Sequence, residues 1–328
     1  MSFDSSALSS NFVSQITNDM KYLFFSLLFF ATFATYAQEQ PGYYRMTLGD
    51  CEVIAISDGT VPLNLKGLLH EKKAGEIESL LKQNYLDTIV ETSITAYLVK
   101  TNNQLILIDA GTGNFLGATL GKVRHNLEAA GYKPEDINVV LLTHLHADHV
   151  GGLSEGGKMV FPNATLYISQ PEADFWLNPA NKATANKRAT SFFDPAQQSI
   201  APYQQAGKVK TYAPGAQLLP GISAIALAGH TPGHSAFMLT SKGEKLVFVG
   251  DIIHAGAVQL VDPGVTIDFD VEFAGAEAAR TKAFDDAAKQ GYWVAAPHLS
   301  FPGIGHVKKV GKGYEWLPIN YMTVKFLH

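Results

Sequence analysis

Short apolar runs rich in β-branched residues recur along the chain from residue 43 onward, and they predict strands. Cys51–Ile56 is the first clear run, and Ser57–Gly59 after it predicts a turn. Residues 91–99 and 104–109 predict a β-hairpin across Thr101–Asn103, because two apolar runs flank a short polar segment. The first part of the chain is therefore predicted to form neighbouring sheet strands.

Helix-like stretches separate the later strands. Residues 122–130 predict a helix, since Gly131 follows them as a stop signal. The apolar run 137–142 predicts the next strand and completes a strand, helix, strand unit. The second half continues this alternation, with strands predicted over 222–227, 245–251 and 293–296 and a helix over 274–290. The alternation indicates an α/β fold.

The composition is that of an ordinary globular protein. The 328 residues are 46% hydrophobic and 17% charged, with a formal net charge of -5. No repeat, linker or low-complexity tract divides residues 38–328, so they are predicted to form a single domain. The sequence shows no concentrated basic surface, which argues against nucleic acid as a partner.

The segment Met20–Ala37 predicts a secretory signal peptide, because one positive residue precedes an apolar stretch and then small residues. Residues 1–19 contain no Lys or Arg, so Met20 is the expected start and cleavage is expected after Ala37. A membrane anchor is the alternative, but the apolar stretch is short and no basic cluster follows it. Removal of residues 1–37 would give an exported protein, periplasmic or secreted, without a stable membrane anchor.

The run Thr143–Gly152 places three histidines and an aspartate directly after a predicted strand. Alternate side chains of an extended segment share a face, so His144 and His146 can bind one ion. Asp148 and His149 follow after the chain turns and are better placed to face a second ion. Neutral imidazole nitrogen and carboxylate oxygen suit zinc and its divalent neighbours. The run therefore predicts one metal site and a second beside it.

Three more metal-capable side chains follow predicted strands, namely His230, Asp251 and His298. Ligands far apart in sequence can converge on one sheet edge when each of them follows a strand. The order His-x-His-x-Asp-His, then His, Asp and His, resembles the pattern of the metallo-β-lactamase superfamily.

This resemblance implies an αββα sandwich with a dinuclear metal site at the sheet edge. The implied ligands are His144, His146 and His230 for one ion, Asp148, His149 and His298 for the other, and Asp251 as a bridge. Asp109 matches an aspartate that supports the ligand loop in this superfamily without binding metal.

Two cations with open coordination positions predict hydrolysis. Water that bridges them loses a proton near neutral pH, since zinc alone lowers the pKa of bound water to about 7. The resulting hydroxide attacks an acyl carbon or a phosphorus, and Asp148 can orient it and transfer its proton. Asp148 and the bridging Asp251 are therefore the predicted catalytic carboxylates. Zinc is the expected metal, while manganese, cobalt and iron suit the same ligands.

Further stretches resemble methyl parathion hydrolase and its lactone-hydrolysing relatives within that superfamily. They are Pro41–Met46, Glu172–Leu177, His298–His306 and Gly311–Tyr314. The resemblance implies a homodimer and an aromatic pocket wall made of Phe115, Trp176 and Phe192. The pattern of residues 171–205 is mixed, since 172–177 look helical and Asn- and Ala-rich sequence follows around Phe192 and Phe193, so this segment is predicted to form an insertion over the site.

The sequence departs from the organophosphate hydrolase at four positions that resemble pocket positions. Leu68 replaces an arginine, His254 a leucine, Ile267 a threonine and Phe269 a leucine. The bulk of Ile267 and Phe269 narrows the space that a tetrahedral phosphotriester needs, whereas a flat aromatic lactone still fits. Neither residues 144–157 nor residues 222–241 contain Lys or Arg, which argues against an anionic substrate.

These features together predict a lactonase or arylesterase for small neutral substrates, with incidental phosphotriesterase activity. Dedicated organophosphate hydrolysis is the alternative. An iron-dependent oxidoreductase could use the same ligands, although the sequence shows no flavin-binding or electron-carrier segment. A non-catalytic binding protein is disfavoured by the complete ligand set.

Overall fold

The apolar runs form the strands of two mixed sheets of seven strands each. The computed structural model describes residues 40–322. In chain order the strands are β1 Tyr43–Leu48, β2 Cys51–Asn64, β3 Leu69–His70, β4 Ile89–Lys100, β5 Leu105–Ile108, β6 Val139–Leu141, β7 Ser154–Glu155, β8 Lys158–Met159, β9 Thr165–Ser169, β10 Val209–Tyr212, β11 Gln217–Leu219, β12 Ile222–Ala226, β13 Ser235–Ser241, β14 Glu244–Phe248, β15 Thr266–Ile267, β16 Trp293–Ala295, β17 Ile304–Val310 and β18 Gly313–Pro318. Every predicted strand overlaps one of these.

The helices lie between the strands. They are α1 Leu65–Leu68, α2 Glu76–Gln83, α3 Val123–Ala129, α4 Ala147–Val150, α5 Gln170–Trp176, α6 Pro179–Thr184, α7 Lys187–Thr190, α8 Phe193–Gln205, α9 Gly256–Gln259 and α10 Phe273–Gln290. Between residues 40 and 322, no helix combines the length and apolar character of a membrane span. The predicted signal peptide lies outside the described residues, so cleavage and export stay predictions.

The two sheets face each other between outer layers of helices. The first sheet has the order β1-β2-β4-β5-β6-β9-β10, and the second has the order β11-β12-β13-β14-β16-β17-β18. Helices α3, α5 and α8 pack on the outer face of the first sheet. Helix α10 packs on the outer face of the second sheet. The αββα order implied by the resemblance is confirmed.

Strand β4 shows how the sequence specifies these layers. Tyr97 and Val99 join the apolar cluster between the two sheets. Ala96 and Leu98 point the other way, into the cluster beneath the helices. Because successive side chains of a strand face opposite sides and both sides are covered, the strand is apolar along most of its length.

The predicted turn at Ser57–Gly59 is wrong. Strand β2 continues through it to Asn64, and its pairing with β4 shifts between Ser57 and Gly59. Gly59 has φ +123°, and a Cβ there would lie 2.1 Å from the carbonyl oxygen of Thr119. The glycine therefore permits a β-bulge within a continuous strand.

The insertion at 171–205 is largely helical, whereas the sequence indicated only the helix near its start. The Asn178 side chain accepts a hydrogen bond from the backbone N–H of Ala180 at the start of α6. The Asn186 side chain does the same for Ala189 at the start of α7. Asparagines that suggested irregular structure thus act as helix N-caps.

Candidate metal centre

The loops that carry the candidate ligands follow strands whose carboxyl ends meet at one edge of the sandwich. In the first sheet, β5 leads to Asp109 and the parallel β6 leads to the histidine-rich loop. In the second sheet, β14 leads to Asp251 and the parallel β16 leads to His298. Because parallel strands end on the same side, side chains separated by up to 154 positions converge there.

The structure brings all seven predicted ligands together in two groups that share Asp251. The first group consists of His144, His146, His230 and Asp251, and the second group consists of Asp148, His149, His298 and Asp251. Within each group, the candidate ligand atoms lie within 4.8 Å of one another. The side chain of Asp148 is 18% exposed, while the other six ligands are buried, so Asp148 faces the open side of the site.

The two oxygens of Asp251 face different groups. Oδ2 lies 3.2 Å from Nε2 of His230 and 3.6 Å from Nε2 of His144. Oδ1 lies 3.0 Å from Nε2 of His149 and 3.0 Å from Nε2 of His298. One carboxylate is thus positioned to contribute an oxygen to each of two neighbouring cations.

Several ligand histidines are held through Nδ1, which leaves Nε2 directed into the site. Nδ1 lies 2.8 Å from Asp109 Oδ2 in His149 and 2.8 Å from Asp270 Oδ1 in His230. In His298, Nδ1 lies 3.0 Å from the carbonyl oxygen of Ser93. Such contacts fix the tautomer and the ring orientation of a metal-binding imidazole.

The donor set fits divalent cations. Within residues 40–322, the buried Nε2 atoms of His144, His146 and His149 make no hydrogen bond of acceptable geometry, although Asp251 lies close to that of His149. A buried polar atom without a partner is costly, and a cation coordinated by these nitrogens removes that cost. The structure therefore supports metal binding on geometric grounds.

Electrostatics agrees with this interpretation. Burial lowers the pKa of His144 and of His146 well below the usual value, which keeps both imidazoles neutral. Burial alone would raise the pKa of Asp251, but the surrounding histidines, His149 foremost, lower it well below its usual range. The neutral His144 and His146 and the ionised Asp251 are in the protonation states that bind a cation. Burial opposes protonation of the other three ligand histidines, but carboxylates, Asp251 foremost, raise their pKa, so a cation would displace protons from His149, His230 and His298.

Asp109 supports the second group through its unusual backbone. Its φ is +59°, a conformation that aspartate tolerates better than most residues do. Its carboxylate accepts hydrogen bonds from the N–H and the hydroxyl of Thr143, and it contacts His149. This arrangement agrees with a supporting role outside the ligand set.

Two buried carboxylates near the site were missed at the sequence level, Asp270 and Glu172. Asp270 contacts Nδ1 of His230 and lies 3.5 Å from the guanidinium of the buried Arg280. Burial opposes ionisation of Asp270, but His230 and Arg280 outweigh it and lower its pKa to about 2. No local signal marks Asp270, because its partner His230 lies 40 positions away.

Two further histidines lie against the bridging aspartate. The backbone N–H of Asp251 donates to Nε2 of His234, 3.0 Å away, so His234 holds the bridge from behind. Nε2 of His254 lies 3.0 Å from Oδ2 of Asp251, and its ring stacks on His298 at 4.8 Å. His254 therefore lies between the ligands and the ring of Phe269, which is 5.7 Å away.

Four of the predicted pocket residues lie near one another. Leu68, Ile267 and Phe269 belong to one apolar cluster, since β3 and β15 pair through Leu69 and Ile267. The ring of Phe192 stacks on His146 at 3.9 Å and reaches Phe269 at 6.5 Å. We refer to Leu68, Phe192 and Phe269, together with the fully buried Ile267 of the same apolar cluster, as the pocket rim.

The other two predicted pocket aromatics lie outside the pocket rim. Trp176 is fully buried behind Phe192, with ring centroids 6.3 Å apart, and therefore supports the wall from inside the core. Phe115 is 38% exposed and lies against Gly151.

Comparison with known proteins confirms the family. The profile of the metallo-beta-lactamase superfamily matches residues 89–297, and the chain belongs to this superfamily. A crystal structure described as hydrolase AbOPH in the beta lactamase superfamily is 42% identical, with a TM-score of 0.83. The match covers 87% of this chain and 100% of that chain.

Other similar proteins include lactonases. AidC, described as a dizinc quorum-quenching lactonase, is 30% identical, with a TM-score of 0.80 over 86% of this chain and 99% of that chain. The uncharacterized protein YobT of Bacillus subtilis is 27% identical over 66% of this chain and 83% of YobT. The N-acyl homoserine lactonase of Bacillus cereus is 24% identical over 49% of this chain and 64% of its own length. This protein is thus a metal-dependent hydrolase of the superfamily, with lactonase homologues.

Proposed function

We propose that this protein hydrolyses small neutral lactones and aryl esters at a dinuclear metal centre, with incidental activity on phosphotriesters. The observation that carries the proposal is the bridging geometry of Asp251, whose two oxygens face two separate histidine groups. Zinc is the proposed metal, because imidazole and carboxylate ligands suit it and the similar AidC is described as dizinc. The presence of all seven candidate ligands in one cluster favours this hydrolytic function over that of a non-catalytic binding protein.

The residues of the site have distinct tasks in such a reaction. Two divalent cations bound here would supply Lewis acidity, which lowers the pKa of water and polarises an ester carbonyl. Asp148 is the most exposed ligand carboxylate, and His149 holds its pKa below the usual range despite burial. The ionised Asp148 can therefore accept the proton of the attacking water and return it to the leaving alkoxide.

His254 can steady the bridging carboxylate during this step. Its Nε2–H can donate to Oδ2 of Asp251, which lies 3.0 Å away. The side chain is buried and stacks on His298, so it has little freedom to move. We propose that it also forms the boundary between the ligands and the pocket.

The pocket rim supports a neutral substrate. Its four members are Leu68, Phe192, Ile267 and Phe269, all of them apolar. Phe192 stacks on His146, which places an aromatic face next to the first group. A flat aromatic ester can lie against that face, whereas the three substituents of a phosphotriester need more space near Ile267 and Phe269.

The test is the ratio of kcat/KM for dihydrocoumarin to kcat/KM for methyl paraoxon, with metal content measured in the same sample. We expect two equivalents of metal and a strong preference for the lactone. A reversed preference would assign the protein to dedicated phosphotriester hydrolysis, the alternative that the resemblance to methyl parathion hydrolase favours. Oxygen uptake without hydrolysis would instead assign it to the oxidoreductases. Homodimerisation stays a prediction that sedimentation can test.

A further inference from the structure

Glu172 is a fully buried carboxylate whose hydrogen bonds all go to the surroundings of the metal centre. Oε1 accepts from the backbone N–H of Leu145 at 2.9 Å and from the indole of Trp176 at 2.6 Å. Oε2 accepts from the hydroxyl of Thr231 at 2.8 Å and from the backbone N–H of Gly233 at 2.8 Å. Both oxygens are thus saturated by uncharged donors.

Three of the four donors belong to segments that carry ligands of the first group. Leu145 lies between His144 and His146, so its N–H fixes the backbone from which both imidazoles project. Thr231 follows His230 directly, and Gly233 closes the same turn. That turn approaches Glu172 so closely that a Cβ at position 233 would lie 2.2 Å from the Glu172 nitrogen.

The fourth donor links Glu172 to the pocket rim. The Trp176 ring packs edge-on against His146 at 5.4 Å and against Phe192 at 6.3 Å. The hydrogen bond from its indole to Glu172 therefore fixes the ring against which His146 and Phe192 pack.

We infer that Glu172 is a positioning residue for the first group. It sets the affinity for the ion that this group holds, the first ion, and leaves the affinity for the ion of the second group, the second ion, nearly unchanged. This inference rests on the proposed dinuclear centre. The second group depends on other supports, because His149 is held by Asp109 and His298 by the Ser93 carbonyl.

The substitution Glu172→Gln gives a directional expectation. A glutamine oxygen can replace one carboxylate oxygen, but its NH₂ group cannot accept hydrogen bonds. The N–H groups of Leu145 and Trp176 can only donate, so the amide oxygen should face them. The NH₂ group then faces Thr231 and Gly233, where the hydroxyl can turn to accept but the Gly233 N–H loses its acceptor. The turn that carries His230 should therefore loosen first.

Asp58→Asn is the matched control. Asp58 is also fully buried, and its carboxylate also accepts four hydrogen bonds, from the N–H and hydroxyl of Thr112 and the N–H groups of Gly121 and Val123. None of these donors is a ligand or a sequence neighbour of one. The control therefore carries the general cost of replacing a buried carboxylate by an amide.

The experiment titrates chelator-stripped wild-type, Glu172→Gln and Asp58→Asn proteins with Zn²⁺ against a chromophoric chelator. Crystals at limiting Zn²⁺ show which side of Asp251 is occupied, and thermal unfolding of the metal-free proteins reports stability. For Glu172→Gln, we expect an affinity for the first ion that is about 10–100-fold weaker, with the second ion little affected. The Asp58→Asn protein should bind both ions as the wild type does, although it unfolds at a lower temperature.

Three results would overturn the inference. They are wild-type affinity for both ions in the Glu172→Gln protein, equal weakening of both ions in that protein, and equal weakening in the Asp58→Asn control. If Glu172→Gln does not fold, Thr231→Val removes one of the four donors at nearly constant side-chain shape. The loss of this hydrogen bond should weaken the affinity for the first ion alone, by about threefold. Wild-type protein that binds fewer than two ions would refute the proposed function as well. Wild-type protein that binds two ions, with an overturning result in the variants, would refute the role of Glu172 alone.

Discussion

The seven candidate ligands and the pocket rim belong to two regions that are built differently. The ligands follow strands of the two large sheets, six of them are buried, and supporting contacts hold most of the histidines in place. The pocket rim comes from segments outside the two large sheets, namely α1, β15 with the residues after it, and the residue that precedes α8. Leu68, Phe192 and Phe269 remain partly exposed.

This difference separates the chemistry from the choice of substrate. Changes among the ligands disturb a network in which Asp251 alone contacts four histidines of the two groups. Changes in the pocket rim alter the shape of an apolar surface. Within that rim, ring contacts to the metal centre are made by Phe192, which stacks on the candidate ligand His146, and by Phe269, which contacts His254. The first region should therefore determine whether hydrolysis occurs, and the second which ester is hydrolysed.

The largest effect is expected for Asp251→Ala. Loss of the shared carboxylate should lower kcat/KM for dihydrocoumarin and methyl paraoxon alike by about a thousandfold, or about 4 kcal/mol of transition-state stabilisation. Steady-state kinetics with bound-metal analysis measures this, and Asp286→Ala on α10 serves as the surface control. Hydrolysis that survives Asp251→Ala unchanged would contradict a metal-dependent reaction.

A smaller effect is expected for Asp270→Asn, which keeps the shape but weakens the acceptor for Nδ1 of His230. Metal affinity should fall by about 10–100-fold, as it does when such supporting carboxylates are changed elsewhere. The control is Asp268→Asn, two positions away, whose carboxylate pairs with His70 at the surface. Equal loss of affinity in both variants would show that the loop as a whole, and not the contact with His230, matters.

The double change Ile267→Thr and Phe269→Leu should act on selectivity with metal content unchanged. Removing bulk from the pocket rim should shift the ratio of lactone to phosphotriester kcat/KM toward the phosphotriester by about 10–100-fold. Val310→Thr, an exposed change far from the site, should leave this ratio unchanged. An unaltered ratio in the double variant would show that Ile267 and Phe269 do not shape the substrate pocket.

The smallest effect is expected for Phe115→Leu. Phe115 is 38% exposed and lies against Gly151 rather than within the pocket rim. We expect KM for dihydrocoumarin to change by about twofold, which is typical of a surface contact. A change in KM of tenfold or more would place Phe115 at the substrate after all.

The convergence of the seven candidate ligands could be predicted because its signal is local. Each ligand follows an apolar run that reads as a strand, and His144 to His149 lie within six positions. The roles of Glu172 and Asp270 could not be predicted, because the partners that connect them to the candidate ligands are distant in sequence. For Glu172 these partners lie 27 to 61 positions away, and for Asp270 the partner is His230, 40 positions away. The continuous strand through Asp58 was missed for the same reason, since only the distant donors of Thr112, Gly121 and Val123 reveal why a buried aspartate fits there.

The placement of the pocket aromatics also depended on tertiary structure. Trp176, Phe192 and Phe193 look alike in sequence, but only Phe192 stacks on a candidate ligand. Trp176 and Phe193 are fully buried in the core. Which of these aromatics reaches the site depends on how the helices pack, and no periodic pattern in residues 171–205 predicts it.

The most direct test of the dinuclear centre is anomalous X-ray scattering at the zinc edge from crystals of the zinc-loaded protein. We predict two peaks, one between Asp251 and the histidines of the first group, and one between Asp251 and the ligands of the second group. A single peak, or two peaks that do not share Asp251, would contradict the account.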